Sequence, residues 1–110
     1  MKKYIMPRQS GKTSRLIEQV EWVNIFSERV AEVYIAVCST AMKVYISREL
    51  EKKELDNCNI TYCTCANQMR GMTPDFVFVD EFTHCNAHMI DHITKYYSDR
   101  TVMWGTPNAR

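Results

Sequence analysis

The residues that most clearly suggest a chemical function are a lysine and a threonine that follow a glycine near the start of the chain. They lie in the segment MPRQSGKT, from Met6 to Thr13. Phosphate-binding loops follow the pattern of a glycine, four residues, and then Gly-Lys-Ser or Gly-Lys-Thr. Gly11, Lys12 and Thr13 match the second half, whereas Met6 stands where the first glycine is expected. Gly11 lets backbone amides turn toward phosphate oxygens, and the helix that follows offers them its positive end. The ammonium of Lys12 can neutralise the β and γ phosphates of ATP, and the Thr13 hydroxyl can ligate Mg²⁺.

Two acidic residues end a second candidate segment, FVFVDEF, from Phe76 to Phe82. The carboxyl ends of strands in an α/β sheet are where ligands bind. Asp80 is positioned to hold magnesium, directly or through water, and Glu81 to act as the general base that polarises an attacking water. The alternative is an ordinary helix start, where acids are favoured by the helix dipole. The glycine-lysine loop could likewise be an ordinary helix start. This alternative is weaker there, because the positive charge of Lys12 would oppose the helix dipole.

Strand-like and helix-like segments alternate along the chain, which favours a mostly parallel sheet covered by helices on both faces. Continuous apolar runs are typical of buried parallel strands, and apolar residues three or four apart indicate helices. We therefore predict an α/β fold with one domain over 1–110, a three-layer sandwich around a mostly parallel five-stranded sheet, in a minimal version of the P-loop NTPase fold. The predicted strands are Lys3–Met6, Val33–Cys38, Ile60–Cys65, Phe76–Asp80 and Thr101–Gly105; the predicted helices are 11–31, Ala41–Lys53 (capped by Ser39 and Thr40) and Phe82–Tyr97, the last with an apolar stripe that ends at Tyr96.

Composition narrows the functional classes. The 110 residues are 45% hydrophobic and carry a formal net charge of +1, so DNA binding is possible but is not indicated by charge. No apolar run approaches the roughly 20 residues that span a bilayer, and no signal-peptide pattern precedes the loop. The five cysteines lack the paired framework of secreted domains. We expect reduced thiols, no membrane association, and a cytoplasmic location, which is the host cytoplasm if the protein is viral.

Three histidines, His84, His88 and His92, are spaced by four residues on the last predicted helix. This spacing could hold zinc or nickel, but a solvated helix face is the simpler interpretation, and structural zinc sites usually include cysteine. Cys63 and Cys65 are too close in sequence for a zinc hairpin. We therefore expect no structural zinc, and we assign most tyrosines and tryptophans to core positions rather than to stacking on nucleic-acid bases.

The sequence resembles the ATPase domain of the large terminases, the motors that package phage DNA and are related to superfamily-two helicases. Four segments carry the resemblance. MPRQSGKT is similar to their phosphate loop, and AVCST (Ala36–Thr40) is similar to the end of a strand in these enzymes. MRGMTPDFVFVDEF resembles their Arg-Gly turn (here Arg70 and Gly71) before the acidic strand, and WGTPN (Trp104–Asn108) resembles their coupling motif. The resemblance implies that the last strand lies between the phosphate-loop strand and the acidic strand. It also implies that Thr106, with Asn108, senses the γ-phosphate.

Arg8 occupies a position that is typically basic in that family, and from within the loop it can place a guanidinium on the γ-phosphate as an internal arginine finger. A surface arginine beside a turn proline is the alternative. The expected catalytic residues are thus Glu81, Arg8 and Lys12. The expected nucleotide-binding residues are Arg8, Gln9, Ser10, Gly11, Lys12, Thr13 and Ser14.

Large terminases carry an adenine-contacting segment well before the phosphate loop, and further strands, a lid and a nuclease domain after the coupling motif. Here only Met1–Ile5 precede Met6, and the chain ends at Arg110. Base recognition is therefore expected to be weak, unusual or borrowed from a partner. A strand left at a sheet edge predicts a homo-oligomer or docking on another protein. The alternative function is a non-catalytic regulator or decoy of terminase type, which binds motor or host proteins and uses the nucleotide only as a structural ligand.

Overall fold

Five parallel strands form one sheet in the structure, a computed structural model that describes residues 1–7 and 11–107. The strands are β1 (Lys2–Ile5), β2 (Ala31–Ala36), β3 (Cys58–Cys63), β4 (Phe76–Val79) and β5 (Thr101–Gly105), and the α-helices are α1 (Lys12–Phe26), α2 (Thr40–Glu51) and α3 (Ala87–Tyr96). The strand order is β1-β5-β4-β2-β3. The predicted α/β fold is confirmed, and β5 lies between the phosphate-loop strand and the acidic strand, as the resemblance implied.

Helices cover both faces of this sheet, because the central strands are apolar on both faces. Val33 and Ile35 of β2 pack in one core layer with residues of α1 and α2. Tyr34 and Ala36, which alternate with them, pack in a second layer with residues of α3. The three-layer sandwich follows directly from this unbroken apolar run. Ser39 caps α2 by accepting a hydrogen bond from the backbone amide of Met42 at 3.2 Å.

The last predicted helix begins later than expected. A 3-10 turn occupies Phe82–His84, and α3 starts at Ala87, where the side chain of Asn86 accepts a hydrogen bond from the backbone amide of Met89 at 3.1 Å. The prediction that three histidines share one helix was therefore wrong, because His84 lies in the turn before α3. The first helix likewise ends at Phe26 rather than at residue 31, and β2 takes up Ala31 and Glu32 instead.

The assignment of most tyrosines and tryptophans to the core was also wrong. Tyr34, Tyr97 and Trp104 are buried, but half of the eight aromatic side chains of these two types are exposed. The apolar stripe of the last helix was predicted to end at Tyr96, but the buried tyrosine is Tyr97, which directly follows α3. The exposed ones are Tyr4, Trp22, Tyr45 and Tyr96.

The Arg-Gly turn is anchored to the end of α3. Gly71 has a φ of 75°, a left-handed conformation that favours glycine. The hydroxyl of Tyr97 donates to the carbonyl oxygens of Met69 and Met72 at 3.0 and 2.9 Å. The turn thus fixes where the chain enters β4 and, through it, where the acidic pair lies.

Strand β1 forms one edge of the sheet. It pairs with β5 on one side, and within the part of the chain that the structure describes no strand pairs with its other side. All four of its residues are exposed. Among the described residues, no helix is both long enough and apolar enough to cross a membrane.

Candidate nucleotide site

The sheet brings the two sequence motifs together at the carboxyl ends of neighbouring strands. The loop after β1, the acidic pair after β4 and Thr106 after β5 meet at this edge, because β5 pairs with both other strands. The backbone amide of Met6 donates to the carbonyl oxygen of Gly105 at 2.8 Å and so continues the β1–β5 pairing up to the loop. Lys12 and Thr13 thereby share one site with side chains that lie 67 to 94 positions later in the sequence.

Lys12 is held between the loop and the acidic strand. Its side chain is only 8% exposed. Its ammonium donates to the carbonyl oxygen of Pro7 at 3.0 Å and pairs with the Oε1 atom of Glu81 at 3.1 Å. A buried ammonium aligned by two oxygens is a preorganised cation for a phosphate.

Asp80 is fully buried, and the Thr13 hydroxyl donates to its two carboxylate oxygens at 3.3 and 3.5 Å. Burial raises the pKa of Asp80 and outweighs the opposing effects of the Thr13 hydrogen bond and the Lys12 charge, while the charge of Glu81 adds to the rise. A buried carboxylate next to a hydroxyl is a donor set of the hard oxygen type that magnesium prefers. The pair therefore fits a magnesium ion, whose charge would offset the cost of burying the carboxylate.

Glu81 has a φ of 52°, an unusual left-handed conformation for a residue other than glycine. Thr106 donates to its Oε1 atom at 2.6 Å and Thr83 to its Oε2 atom at 3.4 Å. Burial acts to raise the pKa of Glu81, but the hydrogen bonds from Thr106 and Lys12 and the charge of Lys12 prevail and lower it. Glu81 is therefore ionised at neutral pH and can accept a proton.

Comparison with known proteins found similarity at the level of structure only. No protein-family model matches the chain, and no curated protein matches it. A solved structure of an arterivirus helicase, nonstructural protein 10 in complex with DNA, superposes with a TM-score of 0.69 at 18% identity. The superposition covers 99% of this chain and 30% of that one. The chain therefore shares the α/β fold of the matched part of that structure. It spans less than a third of the helicase chain it matches.

Within this fold, most of the predicted site residues that the structure describes converge. Gly11 begins α1 with a φ of 82°, the conformation for which glycine is favoured. Ser14 lies exposed on the first turn of that helix. Arg8, Gln9 and Ser10, together with Asn108, lie outside the described residues, so the arginine-finger role stays a prediction.

Three residues that contact the candidate site were not predicted from the sequence, namely Pro7, Thr83 and Phe82. The Pro7 carbonyl accepts a hydrogen bond from Lys12, and the Thr83 hydroxyl donates one to Glu81. The ring of Phe82 packs on Gly105. No residue pattern distinguishes these partners from neighbouring residues of the same type. The sequence gives a signal only for the packing of Phe82, because a glycine at the end of a strand, here Gly105 before Thr106 and Pro107, indicates a close approach of another group.

The three histidines and five cysteines form no comparable centre. In the described ranges 1–7 and 11–107, no group of three or more His, Cys, Asp or Glu side chains could hold a metal ion. Cys85 donates its Sγ hydrogen to the carbonyl oxygen of Asp80 at 3.4 Å, and burial raises the pKa of its thiol to about 12. This thiol therefore stays protonated at neutral pH and supports the strand end that carries Asp80.

We expect Gly105→Ala to destabilise the protein by about 1–3 kcal/mol, the usual range for overpacking a close contact. A Cβ atom on Gly105 would stand 2.8 Å from Cδ1 and 3.0 Å from Cζ of Phe82. Urea unfolding measures the effect. The double variant with Phe82→Leu removes the obstructing ring and should recover most of the loss. A double variant no more stable than Gly105→Ala would show that this contact is not the cause.

Asp80→Asn should stabilise the nucleotide-free protein by about 1 kcal/mol at neutral pH, because a buried functional carboxylate is held at a cost to stability. Since the folded-state pKa of Asp80 is raised, its neutral form contributes stability below the unfolded pKa, and this contribution is lost as pH rises through the folded pKa. The gain from Asp80→Asn should thus vanish below about pH 4 and grow as the pH rises.

Urea unfolding of both proteins between about pH 4 and 8 checks this result, with the exposed Asp91→Asn as the matched control. Because Asp91 is exposed, its replacement should leave the pH profile unchanged. A loss of stability in Asp80→Asn at pH 7 would contradict the assignment of a net burial cost to this carboxylate.

Proposed function

We propose that this chain is an ATP-binding domain of terminase type that hydrolyses ATP with magnesium. The observation that carries the proposal is the convergence of Lys12, Thr13, Asp80 and Glu81 at one edge of a parallel sheet. A lysine on the loop before a helix and an acidic pair after a buried strand are the recurring parts of P-loop NTPase sites. The superposition with a DNA-bound helicase supports a motor-type domain.

Binding of the triphosphate would exchange the partner of Lys12. In the nucleotide-free site its ammonium is paired with Glu81 and the Pro7 carbonyl. The β and γ phosphates carry more negative charge than one carboxylate and accept several hydrogen bonds, so they compete for this cation. Lys12 then neutralises the phosphates, and Glu81 keeps its hydrogen bonds to Thr106 and Thr83.

Thr13 and Asp80 are the residues that would hold magnesium. The ion supplies charge neutralisation at the phosphates when it is bound. Glu81 stands beside Asp80, and its lowered pKa keeps it ionised, so it can orient a water molecule and take its proton during attack on the γ-phosphate. Thr106 contacts Glu81 directly at 2.6 Å and can report the loss of the γ-phosphate through this bond.

Arg8 would act as an internal finger on the γ-phosphate, and Asn108 would assist Thr106, as the terminase resemblance implies. Gln9, Ser10, Gly11 and Ser14 would supply loop contacts to the phosphates. DNA is the partner expected of a motor domain. The exposed β1 edge supports a homo-oligomer or docking on another protein, and such docking is what the second candidate function, a regulator that binds without turnover, requires.

Thermal unfolding with ATP or ADP, each with and without Mg²⁺, tests the binding proposal. A ligand at 100 times its Kd stabilises the folded state by about 2.7 kcal/mol, so we expect ATP with Mg²⁺ to raise the Tm by roughly 10 °C. Phosphate release measured with and without DNA then separates the candidates. Turnover supports the motor, binding without turnover supports the regulator, and no Tm shift with any nucleotide would refute both.

A further inference from the structure

A shallow pocket lies between α1 and the β1 edge of the sheet, and we propose that it receives the base of the bound nucleotide. The exposed ring of Tyr4 is its stacking surface. This inference rests on the proposed function, since it concerns the other end of the same ligand. The cavity measures about 340 Å³ and is lined by Tyr4, Met6, Arg15, Glu18, Gln19 and Trp104.

Tyr4 and Trp104 are opposite one another in the β1–β5 register and stack, with ring centroids 6.1 Å apart and planes inclined by 20°. Trp104 is 3% exposed and belongs to the core, whereas Tyr4 is 45% exposed. The tryptophan therefore fixes one face of the tyrosine ring, and the tyrosine remains accessible. A rigid, half-exposed aromatic ring next to a phosphate site is a stacking platform that accepts any base.

The position of the pocket agrees with the direction that the nucleotide must take. The γ-phosphate has to lie toward Glu81, which follows β4. In the sheet, β5 lies next to β4 and β1 lies beyond β5. With the γ-phosphate near the end of β4, the nucleoside end of the ligand therefore points toward the β1 edge. Met6 of the pocket is the first residue of the loop segment, and Arg15 lies one turn into the helix that follows it.

The polar groups of the pocket suit a nucleoside. Arg15, Glu18 and Gln19 lie three and four residues apart on one exposed face of α1. A guanidinium can stack on a base or bind a phosphate, an amide can both donate to and accept from a base edge, and a carboxylate can accept from an amino group or a ribose hydroxyl. We expect purine nucleotides to bind more tightly than pyrimidine nucleotides, because the larger ring system overlaps more of Tyr4.

Isothermal titration of Tyr4→Leu with ATP and with inorganic tripolyphosphate, both with Mg²⁺, tests the pocket. Leucine keeps an apolar cover on Trp104 but removes the ring. We expect ATP to bind about ten-fold more weakly and tripolyphosphate to bind as in the wild type. Tyr4→Trp, which retains a stacking surface, should keep wild-type ATP affinity.

Tyr45→Leu is the matched control, since Tyr45 is 48% exposed on α2 and does not line the pocket. Circular dichroism verifies that each variant is folded. Equal ATP affinity in folded Tyr4→Leu and wild type, or an equal loss for both ligands, would overturn the base pocket while leaving the phosphate site intact. A wild type that binds neither ligand would overturn the proposed function itself and this inference with it.

Discussion

In a Lys12→Ala variant we expect the ATP-dependent rise in Tm to disappear, with a loss of ATP affinity of about 100-fold or more. Removing one partner of a buried, hydrogen-bonded charge pair typically costs 2–5 kcal/mol of binding free energy, roughly 30- to 4,000-fold. Lys12 is 8% exposed and pairs with Glu81, and no other lysine or arginine among the described residues is buried. Thermal unfolding and equilibrium titration with ATP and Mg²⁺ measure the loss.

The matched control for this change is Lys53→Ala. Lys53 also pairs with a glutamate, Glu21, at 3.4 Å, but it is 36% exposed and lies on the surface. Surface pairs of this kind contribute about 0–1 kcal/mol, and Lys53→Ala should bind ATP as the wild type does. Wild-type affinity in a folded Lys12→Ala protein would exclude the loop as the phosphate site.

A Glu81→Gln variant should keep ATP binding and lose turnover, with a fall in kcat of roughly 100- to 10,000-fold, the contribution usual for a general base. Glutamine can still accept the hydrogen bond from Thr106, which is 2.6 Å from Oε1 in the wild type. It cannot take a proton from water, and it no longer pairs with Lys12 as an anion. ATP affinity should therefore be equal to the wild-type value or slightly higher.

Single-turnover phosphate release and ATP titration together measure this separation of binding from chemistry. Glu49→Gln is the control, because Glu49 pairs with Lys52 at the same 3.1 Å distance on the exposed face of α2. It should change neither quantity. Wild-type turnover in Glu81→Gln would assign the base to another residue, and weakened binding would mean that Glu81 holds the ligand rather than the water.

The order and type of the elements could be predicted because the central strands are continuous apolar runs and the helices show a 3.6-residue period. The strand β5 was placed at its observed residues, Thr101–Gly105. The start of α3 was predicted too early because the helical spacing of apolar residues runs from Phe82 through Met89, whereas the backbone is not α-helical before Ala87. Glu81 adopts a left-handed conformation, and the Asn86 cap starts the helix anew. Local backbone geometry of this kind has no periodic signature.

The meeting of Lys12, Thr13, Asp80 and Glu81 could be predicted, because topology places the ends of their strands at one edge of the sheet. The pairing of Thr106 with Glu81 could not be predicted in the same way. A threonine can donate to many acceptors, and only the β4–β5 register determines which one it meets. The exposure of Tyr4 was not predicted for a related reason, since an aromatic strand residue is usually buried and this one lies on an edge strand.

The pairing of β1 with β5 has a consequence for how the protein forms during synthesis. Of the five strands, the one that carries the glycine-lysine loop is synthesised first, and its partner in the described chain begins only at Thr101. Contacts that are so distant in sequence form slowly, because most of the intervening chain must be ordered first. The parallel β2–β3 pair can therefore form before β5 has been synthesised, whereas the loop after β1 becomes fixed only once β5 is in place.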